Sequence, residues 1–257
     1  MAKNHEVLIN VEKCIGCGLC VKDCVAGAIS LQAGKATVRK TGCIACGHCE
    51  AICPNNAVSL TGFKEEPELF EEQTRLNPEE LLAAMKTRRT IRVFKNQEVP
   101  VSVIKDIIEA GRMAPTGGNS QDTGYIILGS KQKELEDSAA AMFRKLIAMA
   151  KPVLPFLKGM NIDENFFFKK APLVIVLTGS SVNASLAAEN MAFMAEAHGL
   201  GVLYSGFFTM CANRSKKIRK IMRMKRNEKA ITTLVIGYPG VKYHRTVRRH
   251  PAKLRRL

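Results

Sequence analysis

Residues 14–31 read CIGCGLCVKDCVAGAISL, and residues 43–60 read CIACGHCEAICPNNAVSL. The two segments are copies of one pattern, in which four cysteines follow the spacing C-x2-C-x2-C-x3-C. They contain eight of the nine cysteines of the chain, namely Cys14, Cys17, Cys20 and Cys24 in the first copy and Cys43, Cys46, Cys49 and Cys53 in the second. A repeated unit too small to bury its own core is expected to pair with its copy. The repeats therefore predict one small unit built from both copies.

Cysteines at this spacing are suited to bind iron–sulfur clusters. A [4Fe-4S] cluster needs four soft thiolates that converge on a small volume, and two-residue spacers let one tight loop supply three of them. Zinc sites and a disulfide framework are the alternatives. Zinc needs four ligands from two C-x2-C pairs and leaves two cysteines of each run unexplained, whereas disulfides require an oxidising compartment. The spacing therefore predicts two [4Fe-4S] clusters.

This stretch resembles the two-cluster bacterial ferredoxins over nearly all of its length. Val25 stands where that family usually has proline, a change that removes no ligand. The resemblance implies that each cluster takes its fourth ligand from the other repeat. One cluster would be held by Cys14, Cys17, Cys20 and Cys53, and the other by Cys43, Cys46, Cys49 and Cys24.

Composition divides the chain into three parts. Residues 1–63 form the predicted ferredoxin-like domain, residues 64–76 form an acidic linker, and residues 77–257 form a second domain. Asn77 and Pro78 have the features of a helix start, with asparagine as the cap and proline in the first helical position. Helical periodicity follows, including predicted helices over 132–150 and 184–198, with short buried strands over 125–128, 173–177 and 233–236. Few strands between several long helices favour an α+β domain.

The net charge of +16 is concentrated at the end of the chain, where residues 214–257 contain sixteen Lys or Arg and one acid. No nucleic-acid motif accompanies this basic tail, so we expect no nucleic-acid partner. No apolar run approaches the length of a bilayer span, so no membrane span is expected either. The first ten residues, MAKNHEVLIN, lack the apolar stretch of a signal peptide. Cytoplasmic residence is therefore expected.

An arginine cluster begins the informative part of the second domain. Arg88, Arg89, Thr90 and Arg92 place three guanidinium groups around a hydroxyl, and arginine forks match phosphate oxygens in paired hydrogen bonds. The loop APTGGNSQ at 114–121 adds amide and hydroxyl groups. With HGLG at 198–201 and IGYP at 236–239, these segments resemble the nitroreductase family of FMN flavoproteins over about residues 77–250.

The nitroreductase resemblance implies a homodimer with one FMN in each interface groove. The resemblance also implies a role in FMN binding for several segments of this chain. Phosphate and ribityl contacts would come from Arg88, Thr90 and Arg92, and the neighbouring Arg89 is a further candidate for cofactor binding. The partner chain's loop would lay Pro115, Thr116, Asn119 and Gln121 against the flavin. A backbone donor to the flavin ring would come from Ser205 or Gly206. In the basic tail, further phosphate contacts would come from Arg245, Arg248 and Arg249.

The two resemblances together predict an iron–sulfur flavoprotein oxidoreductase. Electrons from a low-potential donor, such as ferredoxin or NAD(P)H, would pass through two clusters to FMN and then to a small electron-poor acceptor such as a nitroaromatic, a quinone or an activated alkene. No acid, base or nucleophile identifies itself, so no catalytic side chain is named. The alternatives are an electron-transfer module that serves a partner protein, and a specialised flavin reductase or dehalogenase.

Overall fold

The computed structural model describes residues 5–39, 42–70, 76–150 and 159–256. The chain forms two compact units. The cysteine-rich unit comprises Met1–Arg75 together with Thr116–Gln121, and the larger unit comprises Leu76–Pro115 and Asp122–Leu257. Residues 71–75 of the predicted linker lie outside the described residues.

The cysteine-rich unit contains two antiparallel strand pairs and two short helices. Strand β1 (Val7–Ile9) pairs with β4 (Val58–Leu60), and β2 (Ile29–Gln32) pairs with β3 (Lys35–Val38). Helices α1 (Leu19–Asp23) and α2 (His48–Ala51) occupy equivalent places in the two repeats. The two repeats are therefore built in the same way.

Glycines make the tight cysteine loops possible. Gly18 and Gly47 precede the two helices with φ of 75° and 74°, a left-handed conformation that glycine adopts without strain. At Gly16, a Cβ atom would lie only 2.0 Å from the carbonyl oxygen of Gly34. Any side chain at Gly16 would push the β2–β3 turn away from the first cysteine loop.

The larger unit is built on a four-stranded antiparallel sheet with the strand order β5-β6-β8-β7. The strands are β5 (Gly124–Ile127), β6 (Leu173–Thr178), β7 (Gly201–Tyr204) and β8 (Ala230–Gly237). The helices are α3 (Pro78–Thr87), α4 (Val101–Arg112), α5 (Gln132–Ala150), α6 (Ser181–Ala197), α7 (Gly206–Arg214) and α8 (Lys216–Ile221).

Strand β6 shows how the sheet separates two layers of helices. Its side chains alternate between two cores, as the two-residue period of a strand requires. Val174 and Val176 face the core that contains residues of α5, α7 and α8, whereas Leu173, Ile175 and Leu177 face the core of α4 and α6. Covered on both faces, β6 is buried along its whole length. The sheet is consequently a rigid support for the loops at its ends.

Several sequence predictions for the larger unit are confirmed. Asn77 caps α3, because its side-chain oxygen accepts hydrogen bonds from the amides of Glu79 and Glu80 at 2.9 and 3.2 Å. Helix α5 has the predicted bounds, and α6 begins three residues earlier than predicted. The mixed α+β architecture is also confirmed.

Two features of the larger unit differ from the predictions. The strand near Tyr125 was expected to be buried, but β5 lies at the sheet edge, and Ile127 is 48% exposed. Strand β7 and helices α7 and α8 were not predicted, because the run from Val202 to Met210 changes from strand to helix without a change in hydrophobicity. Cys211, in α7, is fully buried, and burial raises the pKa of its thiol to about 11.

Candidate functional site

The eight repeat cysteines surround two cavities in the cysteine-rich unit. The first cavity is lined by Cys14, Cys17, Cys20 and Cys53. The second is lined by Cys24, Cys43, Cys46 and Cys49. Each cavity thus takes three thiols from one repeat and the fourth from the other, which is the grouping that the ferredoxin resemblance implies.

The chemistry of these cavities fits an iron–sulfur cluster. Backbone amides point at the sulfurs, with Ala28 N at 3.2 Å from Cys24 Sγ and Ala57 N at 3.2 Å from Cys53 Sγ. Such amide–sulfur hydrogen bonds stabilise the negative charge of a thiolate-bound cluster. Among the described residues, no three His, Cys, Asp or Glu side chains come close enough together to hold a single metal ion. Four thiols line each cavity, which is the ligand number of a [4Fe-4S] cluster.

The cysteine thiols differ in their electrostatic surroundings. Hydrogen bonds from the amides of Ala36 and Gly16 lower the pKa of Cys14. Burial raises the pKa of Cys49 to about 11. Ligation by iron requires the thiolate, so cluster binding must displace the protons of these thiols.

In the larger unit, the arginine segment runs beside β7. Thr90 forms a parallel bridge with Val202, and the amide of Ile91 donates to the carbonyl of Val202 at 3.1 Å. Gly201, at the start of β7, allows this close approach, since a Cβ there would lie 2.2 Å from the Ile91 side chain. The segment Arg88–Arg92 is therefore fixed next to the strand that leads to Ser205 and Gly206.

Arg89 provides the observation that best fits an anionic ligand. Its Nη1 donates to the carbonyl of Lys86 at 3.2 Å and to that of Arg88. Its Nε and Nη2 are buried and have no hydrogen-bond partner among the described residues. Buried guanidinium nitrogens without partners are costly, and a phosphate would satisfy both. The phosphate group of FMN fits this position.

Arg88 is held differently from Arg89. Its Nη2 lies 3.1 Å from Glu189 Oε1, and its guanidinium group lies 5.8 Å from the ring centre of Phe193. The hydroxyl of Tyr204 donates to Glu189 Oε2 at 2.9 Å. Arg88 is thus already paired with Glu189. The contacts with α6 fix the orientation of its guanidinium group. Arg92 is exposed.

The acidic residues on α6 were missed by the sequence analysis. Burial raises the pKa of Glu196 to about 7, against the opposing effect of Arg88. Burial and the hydrogen bond to Glu189 raise the pKa of Tyr204. Glu189, Phe193 and Glu196 are spaced four and three residues apart, so helical periodicity could have placed them on one face. What the sequence did not reveal was that this face meets the arginine segment.

The structure distinguishes Ser205 from Gly206. The amide of Ser205 donates to the carbonyl of Thr233 at 2.8 Å, so this N–H group is already used within the sheet. Gly206 is the first residue of α7, where backbone N–H groups have no partner within the helix. A Cβ on Gly206 would meet no atom within 4 Å. Gly206 therefore has an amide that α7 does not use and space beside its Cα, whereas the amide of Ser205 is taken by Thr233.

The predicted flavin loop falls in both units. Pro115 is exposed and ends the first segment of the larger unit, whereas residues 116–121 group with the cysteine-rich unit. Within the loop, Thr116 Oγ1 accepts from the Gln121 amide at 3.1 Å, and Asn119 Oδ1 accepts from Gln121 Nε2 at 3.1 Å. Three of the predicted flavin residues therefore form one hydrogen-bonded network.

The exposed end of the basic tail follows a turn that pairs with residues just after the arginine segment. The amide of Lys95 donates to the carbonyl of Tyr238, and the amide of Gly240 donates to the carbonyl of Val93, both at 2.8 Å. Beyond this turn the side chains are exposed, and they include the predicted phosphate contacts Arg245, Arg248 and Arg249.

Comparison with known proteins agrees with this geometry. Residues 13–58 match the 4Fe-4S dicluster domain. Residues 85–238, more than half of the chain, match the nitroreductase family. The chain belongs to the nitroreductase family. It carries the 4Fe-4S dicluster domain ahead of its nitroreductase domain.

Individual relatives of this nitroreductase are distant. A protein of Archaeoglobus fulgidus, named as an NADH dehydrogenase/NAD(P)H nitroreductase, is 24% identical over 63% of this chain and 86% of its own length. An iodotyrosine deiodinase of Haliscomenobacter hydrossis is 23% identical, over 63% of this chain and 84% of its own length. The crystal structure of a Bacteroides fragilis nitroreductase with bound FMN superposes with a TM-score of 0.56 at 18% identity, covering 69% of this chain and 99% of that one. This structural likeness shows the shared fold. No helix within the described residues is long and apolar enough to cross a membrane.

Replacing Cys24 with alanine should remove iron from one cluster alone, because Cys24 lines only the second cavity. We expect iron and sulfide contents to fall from about eight per chain towards about four in anaerobically purified protein. Cys211→Ala is the matched control, since Cys211 lies in the buried core of the nitroreductase domain. Equal losses from both clusters, or full iron content in Cys24→Ala, would contradict the assignment.

Replacing Arg89 with alanine should weaken FMN binding by about tenfold or more, since hydrogen bonds to charged groups contribute about 1.5–3 kcal/mol. Fluorescence titration of the flavin-free protein with FMN measures this change. Arg112→Ala serves as the control, because Arg112 is an exposed arginine bound to Glu109. Unchanged affinity in Arg89→Ala would rule out the proposed phosphate contact.

Gly206→Pro should remove one N–H group without breaking α7, because proline is tolerated at the first position of a helix. Gly206→Ala retains the N–H group and is the matched control. We expect the proline variant to bind FMN about two- to tenfold more weakly than the alanine variant, the range for one net hydrogen bond. Equal FMN affinities and equal flavin reduction potentials would show that this amide does not contact the flavin.

Proposed function

We propose that this nitroreductase-family chain is an iron–sulfur flavoprotein oxidoreductase. It takes electrons from a low-potential donor, through two [4Fe-4S] clusters and FMN, to a small electron-poor acceptor such as a nitroaromatic, a quinone or an activated alkene. The observation that carries this proposal is the presence, in one chain, of two four-thiol cavities and a nitroreductase domain in which Nε and Nη2 of Arg89 are buried without a partner among the described residues.

Each part of the chain has a distinct task in this proposal. When bound, the clusters supply single electrons and FMN combines two of them with protons from solvent for delivery to the acceptor. The cysteines hold the clusters, and Arg89 binds the FMN phosphate. Glu189 and Tyr204 keep Arg88 oriented, and the Gly206 amide faces the flavin ring. In this proposal, no side chain has to donate a proton to the acceptor or accept a proton from it.

The proposal includes a homodimer, as the nitroreductase resemblance implies, with FMN bound by residues of both chains. It also places the protein in the cytoplasm, since eight ligand cysteines must remain reduced before cluster assembly. Reduced ferredoxin or NAD(P)H would be the donor. A basic tail attracts acidic proteins over long range and favours an acidic redox partner such as a ferredoxin.

The test begins with anaerobically purified protein of known iron, sulfide and FMN content. The protein is reduced separately with reduced ferredoxin, NADH or NADPH, and then mixed with a quinone, a nitroaromatic or an α,β-unsaturated ketone. We expect flavin absorbance to return at a rate that saturates with acceptor concentration. The Cys24→Ala variant should lose reduction by ferredoxin, while direct reduction of FMN by a nicotinamide donor, if it occurs, should persist.

Two other outcomes identify the alternative functions. If reduced flavin persists with every small acceptor but is reoxidised by a partner protein, the chain is an electron-transfer module. The similarity to an iodotyrosine deiodinase favours a second candidate, reductive dehalogenation. There, two electrons and one proton convert a carbon–halogen bond into a carbon–hydrogen bond and free halide. Halide release from an iodophenol would reveal this activity.

A further inference from the structure

Asn119 contacts the loop that supplies ligands to the second cavity. Its Nδ2 atom donates to the carbonyls of Ile44 and Ala45, at 3.1 and 2.8 Å. These two residues lie between the cavity cysteines Cys43 and Cys46. Both amide hydrogens of Asn119 are therefore used on one cysteine loop. Only one lone pair of its side-chain oxygen remains for any other partner.

A single peptide group connects Asn119 to a cysteine sulfur. The carbonyl of Ile44 and the N–H of Ala45 belong to the same peptide, and this N–H donates to Cys43 Sγ at 3.4 Å. A hydrogen bond received by the carbonyl polarises the peptide and strengthens its N–H as a donor. Asn119 thus increases the partial positive charge on the Ala45 N–H group that faces Cys43 Sγ.

The backbone on both sides of this contact is held in an uncommon conformation. Ala45 has a φ of 54°, and Asn119 has a φ of 51°, both in the left-handed region. Asparagine tolerates this region, whereas alanine there is strained. The amide of Asn119 stabilises the strained loop by binding the Ala45 carbonyl. The acceptor side of Asn119 is fixed in turn by Gln121 Nε2.

We propose that Asn119 is a positioning residue that raises the reduction potential of the cluster held in the second cavity. Hydrogen bonds to the sulfurs stabilise the additional negative charge of a reduced cluster. Transfer of one electron from the first cluster to the second oxidises the first cluster and reduces the second. No bond is formed or broken. The second cluster is then the exit centre, and it lies beside the loop that resembles the flavin loop of nitroreductases. This inference rests on the proposed function.

The test is an EPR-monitored redox titration of the anaerobic full-length Asn119→Gly variant. Glycine keeps the left-handed backbone accessible and removes only the amide. Asn56→Gly is the matched control, because Asn56 is an exposed asparagine of the same unit with a φ of 46°. The Cys24→Ala variant identifies which signal belongs to the second cluster.

We expect the ratio of reduced to oxidised second cluster, at fixed potential, to fall about three- to tenfold in Asn119→Gly. A tenfold change corresponds to about 59 mV for one electron. The first cluster and the Asn56→Gly control should keep the wild-type potentials. FMN reduction by ferredoxin, measured per bound FMN, should slow. Unchanged cluster potentials, or an equal shift in the control, would overturn the inference.

Asn119→Asp provides a second variant in case glycine disrupts the loop. Aspartate tolerates the same backbone conformation but has no N–H groups, so the potential should fall in the same direction. Selective loss of the second cluster in both variants, with the control intact, would also support the positioning role. Wild-type protein without clusters or FMN would refute the proposed function itself. If the wild-type protein contains both cofactors and the Asn119 variants keep the wild-type cluster potentials, only the role of Asn119 is refuted.

Discussion

The exchange of the fourth cysteine between the two repeats is the constraint on which the cysteine-rich unit depends. Its buried apolar cluster is small and consists of Cys14, Cys20, Ile29, Ala36 and Ala57, with a few partly buried neighbours. Some apolar side chains, such as Val25 at 88% exposure, lie outside this cluster. A unit of this size cannot offset the entropy of folding by hydrophobic burial alone. Cluster binding must therefore supply much of its stability, and folding is coupled to cofactor assembly.

The nitroreductase domain, in contrast, is stabilised by the burial of its own apolar side chains. Its sheet is covered on both faces, and the central strand β6 is buried along its length without any cofactor. This rigid support fixes the arginine segment against β7 and starts α7 at Gly206. A phosphate site on such a support is already organised before the ligand arrives, which lowers the entropic cost of binding. In this segment, the buried side-chain atoms left without a partner are Nε and Nη2 of Arg89.

The features that could be predicted from sequence are those with local causes. Cysteine spacing, the Asn77 cap and the bounds of α5 depend on residues within one turn, one loop or one helix. The contacts that define the site join distant residues. Arg88 and Glu189 are 101 residues apart, and Asn119 and Ile44 are 75 apart. Periodicity places a residue on a face of its own helix, but it does not reveal which segment meets that face. Ser205 illustrates the consequence, because only the sheet pairing shows that Thr233 already occupies its amide.

Charge acts on two scales in this protein. Beyond Gly240 the side chains of the basic tail are exposed, so their field decays over a Debye length of about 8 Å at physiological ionic strength and affects mainly the approach of partners. At the arginine segment the balance is local. Glu189 binds Arg88, and Glu196 resists ionisation because it is partly buried, with a pKa of about 7. Glu189 thus offsets part of the positive charge of the segment, while Arg89 keeps two unpaired nitrogens. In the proposed FMN phosphate site, anion recognition would consequently depend on the geometry of one guanidinium group, whereas total charge would influence how fast partners arrive.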